Sequence, residues 1–493
     1  MFVNSTSKHV SDVTVVGAGP VGLVLAAELA LAGADVQVLE RLTEPSQAAR
    51  AQSINVPTAE ALDRRGLLPA EVASGARFTG HFAGMVLEPG LVDWSDPDFA
   101  AHTAADRCRM IAQPRLEALL AEHVARLGVP VRRGVEVTAV EDVGDGVCVG
   151  TSAGPLHTGW LVGCDGGHSA VRRLAGIEFP GTAAELVGYQ AVVDVADDKE
   201  LADGWVWSAH GVYRYGPQPG RVVTLEFDSA GAQFARADRD VPITLDEVQA
   251  SLRRTSGTDV TVTALRTTPT RWADNTRQVA NYRSGRVLLA GDAAHVHPPF
   301  GGQGLNLGIG DAMNLGWKLG AVVTGRASDG LLDTYDAERR PVGAWVLDWT
   351  RAQTGLMRGD AKSAALRGIV GDLLGTSAGT TYAVKKISGV TQRVGPAGDH
   401  PLVGALVPDL WLRDGSRLVD HGHGGGFLLL DRTSDAAFTR LAAPWAVDVT
   451  AVADVDGPLV GVLVRPDGVV AWATDTSDDA GLDGALRRWA GAR

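Results

Sequence analysis

Three glycine turns, each at the end of an apolar run, carry the residues that could do chemistry. In the first, Gly17-Ala18-Gly19-Pro20-Val21-Gly22 interrupts the β-branched run Asp12 to Val16 and is followed by the helical stretch Leu23 to Leu31. This spacing suits a pyrophosphate. Gly17 permits the tight turn, Gly19 lets a phosphate approach the backbone, and Gly22 lets helix pack on strand. Negative charge then sits on the positive end of the helix. A second strand, Asp35 to Leu39, ends in Glu40, 18 residues past Gly22, where a carboxylate would accept the ribose hydroxyls of an adenosine. Arg41 beside it reads equally as a 2′-phosphate ligand, a flank for the adenine or a solvent-facing charge.

The second turn, Cys164-Asp165-Gly166-Gly167-His168-Ser169-Ala170-Val171-Arg172, follows the strand Leu161 to Gly163 and enters a helix. Asp165 and Arg172 are its polar anchors. The third follows Arg286 to Ala290 and reads Gly291-Asp292-Ala293-Ala294-His295, then Pro298-Pro299-Phe300-Gly301-Gly302-Gln303-Gly304-Leu305-Asn306. Asp292 ends a buried strand at its carboxyl edge, where ligands of open α/β sheets sit; the competing reading is a helix N-cap. Apolar residues at Leu305, Ile309, Ala312, Leu315 and Leu319 then keep a helical period. The backbone N–H groups of Gly304, Leu305 and Asn306 open that helix and favour negative charge in front of it. His295 and His297, two apart in a proline-bounded loop, read as structural hydrogen bonders and not as metal ligands, as do His421 and His423.

The elements that position these turns follow from the composition. At 493 residues the chain is long enough for two or three domains, and 45 % hydrophobic with 21 % charged residues is ordinary for a globular enzyme. Acidic residues number 58 against 45 basic, a net charge of −13, and no Lys/Arg block exists to neutralise a phosphate backbone, so nucleic acid is not an expected partner. The apolar stretch Val13 to Ala27 is broken by the glycine turn and stopped by Glu28, and no other run approaches 18 apolar residues, so no membrane span is expected. Cys108, Cys148 and Cys164 form no CxxC and no paired spacing, so neither a zinc site nor a disulfide framework is suggested, and a reducing cytoplasm fits.

The three turns, in this order, resemble the fingerprints of single-component FAD-dependent aromatic hydroxylases related to para-hydroxybenzoate hydroxylase: GxGxxG, Asp-Gly and Gly-Asp. The last, GDAAHxHPPxGGQGLNxGxxDAxNLxWKL, is highly specific, and the resemblance runs nearly the whole chain. The layout is similar to that of aromatic polyketide hydroxylases and rifampicin monooxygenase. The resemblance implies FAD bound near Gly17, Gly19, Gly22, Glu40 and Arg41, with Asp292 at the ribityl or pyrophosphate region, Gly304, Leu305 and Asn306 beside the flavin N1/O2 edge, and Pro299 also among the cofactor-binding residues. It also implies Gln113 on the ribityl chain, Val137 under the adenine, Arg50 over the flavin, and Asp165 serving the pyrophosphate side and NADPH access. No second GxGxxG exists, so NADPH would bind transiently. The implied reaction reduces FAD with NADPH, captures O2 as a flavin C4a-hydroperoxide and hydroxylates an electron-rich ring of a large aromatic polyketide-type substrate. No side chain is assigned as catalytic and no metal is needed. Rifampicin-type drug inactivation and Baeyer–Villiger insertion use the same chemistry and stay open. A different class is an FAD-containing binding module with little redox turnover.

The fold expected is α/β: a Rossmann-like FAD-binding fold (1–179 and 276–395, the latter including linking helices), an inserted antiparallel-sheet substrate domain (180–275) and a thioredoxin-like C-terminal domain without CxxC (396–493). The last would serve packing or oligomerisation, such as a homodimer. Between Pro180 and Asp274 the sequence alternates in strand fashion, and Tyr189, Trp205, Trp207, Tyr213, Tyr215 and Phe227 are candidates to stack on the substrate. Strands alternate faces, so about half of these belong to a core. Gly204-Trp205-Val206-Trp207 resembles part of a flavin halogenase signature but continues Ser208-Ala209-His210 without Ile-Pro, and no lysine lies between Lys8 and Lys199, so halogenation is rejected.

Overall fold

The computed structural model describes residues 11–491, apart from 47, 49, 75–76, 103–107, 209, 228–240, 396–397, 446–448, 455–456 and 458. Its central sheet has five parallel strands in the order Val287–Leu289, Leu156–Gly163, Ser11–Val16, Val36–Glu40 and Val131–Arg133. Val13, Val15, Val38, Leu161 and Val162 have no exposed surface, as expected of parallel strands covered on both faces. The chain leaves the central strand Ser11–Val16 toward one edge and returns on its other side. That reversal opens a crevice at the carboxyl ends of the strands.

Two helices stack over this crevice's floor, Pro20–Leu31 and Gln303–Val323. The second carries glycines where its neighbour leaves no room. A Cβ at Gly316 would lie 2.4 Å from Glu28 Cβ, and one at Gly320 would lie 2.3 Å from Ala32 Cβ. A mid-helix glycine costs roughly 0.5–1 kcal/mol relative to alanine. Close packing of the two helices offsets that cost.

The inserted sheet is antiparallel, in the order Gly204–Ser208, Gly211–Tyr215, Arg221–Glu226, Val187–Val195, the last pairing along its length with both Thr270–Ala273 and Val262–Leu265. One face carries Ala191, Val193, Tyr213 and Val222 against Val248 and Leu252 of the helix Leu245–Ser256. Thr244 caps that helix by accepting the Glu247 N–H, and Gly257 closes it in the left-handed conformation. The other face carries Val212, Val223 and Leu225 toward Phe300 and Met357 of the FAD side.

After residue 400 a separate mixed sheet forms. Phe427–Asp431 lies between Val449–Ala453, parallel to it, and the antiparallel Gly461–Val464, with Val470–Thr474 at the edge. The helix Ala437–Ala442 lies in the crossover that joins the two parallel strands. With the final helix Leu482–Trp489 this is a thioredoxin-like order. A buried ionic cluster welds its hairpin to the FAD side. Arg465 binds both oxygens of Glu338 at 2.7 and 2.8 Å and both of Asp467, while Lys318 and Asn314 of the Gln303–Val323 helix reach Glu338 Oε2 at 2.8 and 2.7 Å. Beside it Arg65 forks onto Glu28 and reaches the carbonyls of Gly422 and Pro466.

Candidate active site

At the first turn each glycine meets a different limit. Gly17 has φ +108°, and a Cβ there would lie 2.4 Å from the Cys164 carbonyl oxygen; at Gly22 it would lie 1.9 Å from the Gly17 carbonyl oxygen. Both are fixed by protein packing. Gly19 has nothing within 4 Å of its Cβ direction. It is the N-cap of the Pro20–Leu31 helix and no side chain caps that helix end, so the first-turn N–H groups face an open cradle of the kind a pyrophosphate fills. Glu40 braces the turn by accepting the Ala18 and Leu42 N–H groups, each at 2.8 Å. Its carboxylate keeps further lone pairs for ribose hydroxyls. Arg41 is exposed.

At the third turn Asp292 is exposed, three residues past the end of the strand Val287–Leu289, and its carboxylate has no partner among the described residues. It caps no helix, because the short helical turn Gly291–Ala293 starts from Ala290 without a side-chain cap. One Asp292 oxygen lies 3.9 Å from where a Cβ of Gly304 would sit, so the acid and the start of the Gln303–Val323 helix border the same space. Two left-handed glycines, Gly301 (φ +73°) and Gly302 (φ +64°), precede this helix, which has no side-chain cap and no acid in its first turn. Its N–H groups are free for an anionic edge. The Asn306 amide is used internally, accepting the Asn55 N–H at 2.9 Å and donating to the Gly302 carbonyl at 2.8 Å. Pro299 is exposed, and Gly304 and Leu305 are half-buried.

The remaining expected FAD residues frame these two. Gln113 is buried at the start of the helix Gln113–Arg126, donates to Glu117 at 2.7 Å and is tied by its N–H to the Ala51 carbonyl, next to exposed Arg50. Burial raises the Glu117 carboxyl above its ordinary range, against the pull of Gln113 and Arg50. Val137 is buried at the start of the strand Val137–Asp142. At Asp165 one oxygen accepts the N–H groups of Ala170 and Val171 at 2.6 and 3.1 Å, and the other is buried without a partner among the described residues. Arg172 donates to the carbonyls of Ala293 and Gly167 and stacks on Phe179 at 3.8 Å. The second turn is therefore a strut under the third.

The six aromatic candidates split by face. Trp205, Trp207 and Phe227 lie on the face turned to the FAD side, joined by Trp272, whose ring meets Phe300 edge-on at 5.6 Å. Tyr189, Tyr213 and Tyr215 lie on the opposite face, and the expectation that they stack on a substrate is corrected. Tyr189 donates to Glu247 at 2.9 Å, Tyr213 accepts the Ala202 N–H at 3.1 Å and Tyr215 donates to Asp198 at 3.1 Å. The register explains it: Tyr213 and Tyr215 share a parity with each other and Val212 with the inward side. Sequence reading missed the small hairpin His81–Phe82 and Met85–Val86, which covers the inward face: His81 lies 4.9 Å from Trp205 and Phe82 lies 4.7 Å from Trp349. Two-residue strands leave no periodic signal. Also on that face are Arg214 and Arg221, with no carboxylate partner among the described residues; burial, then Arg214, pushes the Arg221 guanidinium down to about 10. Arg221 lines a cleft of about 250 Å³ with Gln190, Gln218 and Thr267, facing Ala48, Gln52, Ala112 and Pro114 beside Arg50 and Gln113.

An open phosphate cradle, an acid closing the second strand and an uncapped helix beneath a roofing sheet are the arrangement of a dinucleotide-binding protein with a second layer over its site. Comparison with known proteins agrees. Residues 10–350 match the FAD binding domain family and residues 400–492 match "Aromatic-ring hydroxylase, C-terminal". The structure is similar to that of OxyS anhydrotetracycline hydroxylase from Streptomyces rimosus, with TM-score 0.88, 39 % identity and coverage of 98 % of this chain and 99 % of that one. The sequence is 40 % identical to rifampicin monooxygenase of Streptomyces venezuelae over 98 % of this chain and 99 % of the relative. It is 37 % identical to dialkyldecalin synthase of Streptomyces rugosporus over 97 % and 98 %. The chain belongs to the FAD binding domain family and is an FAD-dependent monooxygenase of the aromatic hydroxylase class. No described helix is long and apolar enough to cross a membrane.

Proposed function

We propose that this chain uses NADPH and O2 to place one oxygen atom on a large aromatic substrate of the polyketide type. The observation that carries this reading is the inward face of the inserted sheet, which turns Trp205, Trp207, Phe227 and Trp272 toward Phe300, three residues ahead of the helix that borders the flavin cradle. FAD, when bound, supplies the redox chemistry, taking electrons from NADPH and activating O2. The protein's own groups bind, orient and exclude water. Gly19 admits the pyrophosphate, Glu40 and Asp292 accept hydroxyl hydrogen bonds, and the N–H groups at the start of the Gln303–Val323 helix favour negative charge at the edge they meet. Aromatic faces offer stacking area to a polycyclic ring, and Arg214 and Arg221 give the same surface a positive potential suited to a phenolate or enolate. With a single glycine dinucleotide turn in the chain, NADPH is a transient visitor.

The test is aerobic NADPH oxidation by the flavin-loaded protein with a panel of anthraquinones, angucyclines and rifamycins, followed by product mass. Substrate-stimulated oxidation with a product one oxygen atom heavier is the expected result; stimulated oxidation with unchanged substrate would mean uncoupled peroxide release. A second reading, favoured by the likeness to dialkyldecalin synthase, is a flavin-containing scaffold that binds and shields its substrate with little redox turnover. Conversion of substrate without NADPH consumption would establish it in place of the first.

A further inference from the structure

A buried acid lies directly behind the cradle. Asp311, on the Gln303–Val323 helix, has no exposed surface. Its Oδ2 accepts hydrogen bonds from the Gly291 N–H at 3.1 Å and from His295 Nε2 at 2.7 Å, and its Oδ1 accepts one from Arg339 Nε at 2.8 Å. Arg339, also buried, donates its other arm to the Leu307 carbonyl at 3.0 Å. One carboxylate thus joins three parts: the loop from Gly291 to His295 that carries Asp292, the helix whose first turn borders the cradle, and the helix Asp333–Met357. Burial opposes its charge, but Arg339 and His295 hold the Asp311 carboxyl below the ordinary range.

Glycines make this junction close. A Cβ at Gly308 would lie 3.1 Å from Gly291 Cα, and one at Gly310 would lie 2.6 Å from an Arg339 nitrogen. Asp311, His295 and Arg339 are all sealed from the crevice, so none of them can touch cofactor or substrate. What they fix is the spacing between Asp292 and the helix N-terminus, the two groups that border the cradle from different segments.

We propose that Asp311 is a positioning residue for FAD, holding Asp292 and the N–H groups of the Gln303–Val323 helix at the separation one cofactor requires, with His295 as its link to the loop. This rests on the FAD reading above. The experiment titrates FAD into apoprotein, following flavin fluorescence and the bound absorbance spectrum, with thermal unfolding of each apoprotein in parallel. Asp311→Asn keeps an acceptor for Gly291 but loses the charge facing Arg339 and His295. His295→Gln keeps a donor, and His295→Phe removes it. Expected are a rise in FAD Kd of about tenfold or more and a displaced flavin spectrum for Asp311→Asn and His295→Phe, with His295→Gln near wild type. The proposal is overturned if Asp311→Asn and His295→Phe bind FAD with wild-type Kd and spectrum. It is equally overturned if His295→Gln loses as much affinity as His295→Phe, or if affinity falls only in step with apoprotein unfolding temperature. Should Asp311→Asn not fold, the two His295 variants decide. Wild-type apoprotein that takes up no FAD would instead sink the FAD reading itself.

Discussion

Replacing Arg465 with methionine removes a guanidinium that neutralises two carboxylates at once. Glu338 and Asp467 are each about 4 % exposed at the side chain, and Arg465 about 2 %. After the change Glu338 keeps Lys318 and the Asn314 amide, and Asp467 keeps the same amide and the buried Arg64 guanidinium that donates to its backbone carbonyl. The cluster loses one positive charge in a place water does not reach. An exposed pair would be worth about 0–1 kcal/mol; breaking a buried one by removing one partner costs about 3–5 kcal/mol. Methionine fills much of the volume but also loses the guanidinium contact to the Trp489 ring at 4.6 Å. Against a typical total stability of about 5–15 kcal/mol, this is a large fraction. Urea unfolding of the flavin-loaded protein, followed by far-UV circular dichroism and tryptophan fluorescence, measures it. The triple variant Arg465→Met, Glu338→Gln, Asp467→Asn, which removes both carboxylates and leaves a Lys318 that burial already pushes down to about 7 free to stay neutral, should recover most of the loss. A loss below about 1 kcal/mol in the single variant, or a triple variant no better than the single, would refute the reasoning.

Other outcomes follow from single features. Gly19→Ala should leave apoprotein unfolding unchanged, because its Cβ meets nothing, yet raise the FAD Kd at least tenfold by filling the phosphate cradle; Gly22→Ala should damage the fold itself, since its Cβ would fall 1.9 Å from a carbonyl oxygen. Burial and Arg465 push the Lys318 ammonium from an ordinary 10.5 down to about 7; between these values the unfolded chain binds the extra proton, so stability rises with pH across that window, and Lys318→Met should flatten the rise in a pH series of urea midpoints. Burial and Arg214 push the His81 imidazole from 6.5 down to about 3. Its neutral form is held in the folded state, stability is lost as pH falls below 6.5, and His81→Phe should remove that slope between pH 6.5 and 3. Trp207→Ala should raise the substrate KM more than it lowers stability, whereas Tyr213→Phe, on the far face, should leave KM unchanged; equal KM effects would put the wrong face toward the substrate.

The glycine turns were legible because backbone geometry alone demands the residue type: only glycine accepts φ +108° at position 17 or the close carbonyl at position 22. Strand alternation between 187 and 226 was legible for the same local reason. Which face looked inward was not, because parity fixes only which residues share a side; the partners that decide the side, the helix Leu245–Ser256 behind and Phe300 in front, come from elsewhere in the chain. An acid in a glycine turn reads the same whether it serves a ligand or the backbone: one Asp165 oxygen holds the N–H groups of Ala170 and Val171, and the other has no partner among the described residues. Asp311 did leave a trace. A helix apolar on nearly every side is buried on every side, so an acid inside it must be paired, but its partners His295 and Arg339 lie 16 and 28 residues away with no pattern to announce them.

The helix Gln303–Val323 tolerates no added atom along the side that faces its neighbours, at Gly308, Gly316 and Gly320. A protein so constrained on its cofactor side can change what it accepts only in the layer above, in the sheet between 187 and 273 and the hairpin over it. Exchange of that upper layer between homologues, with the glycine-lined helix left untouched, is the natural route to new ligand ranges, and random libraries aimed at the lower layer will return mostly insoluble protein.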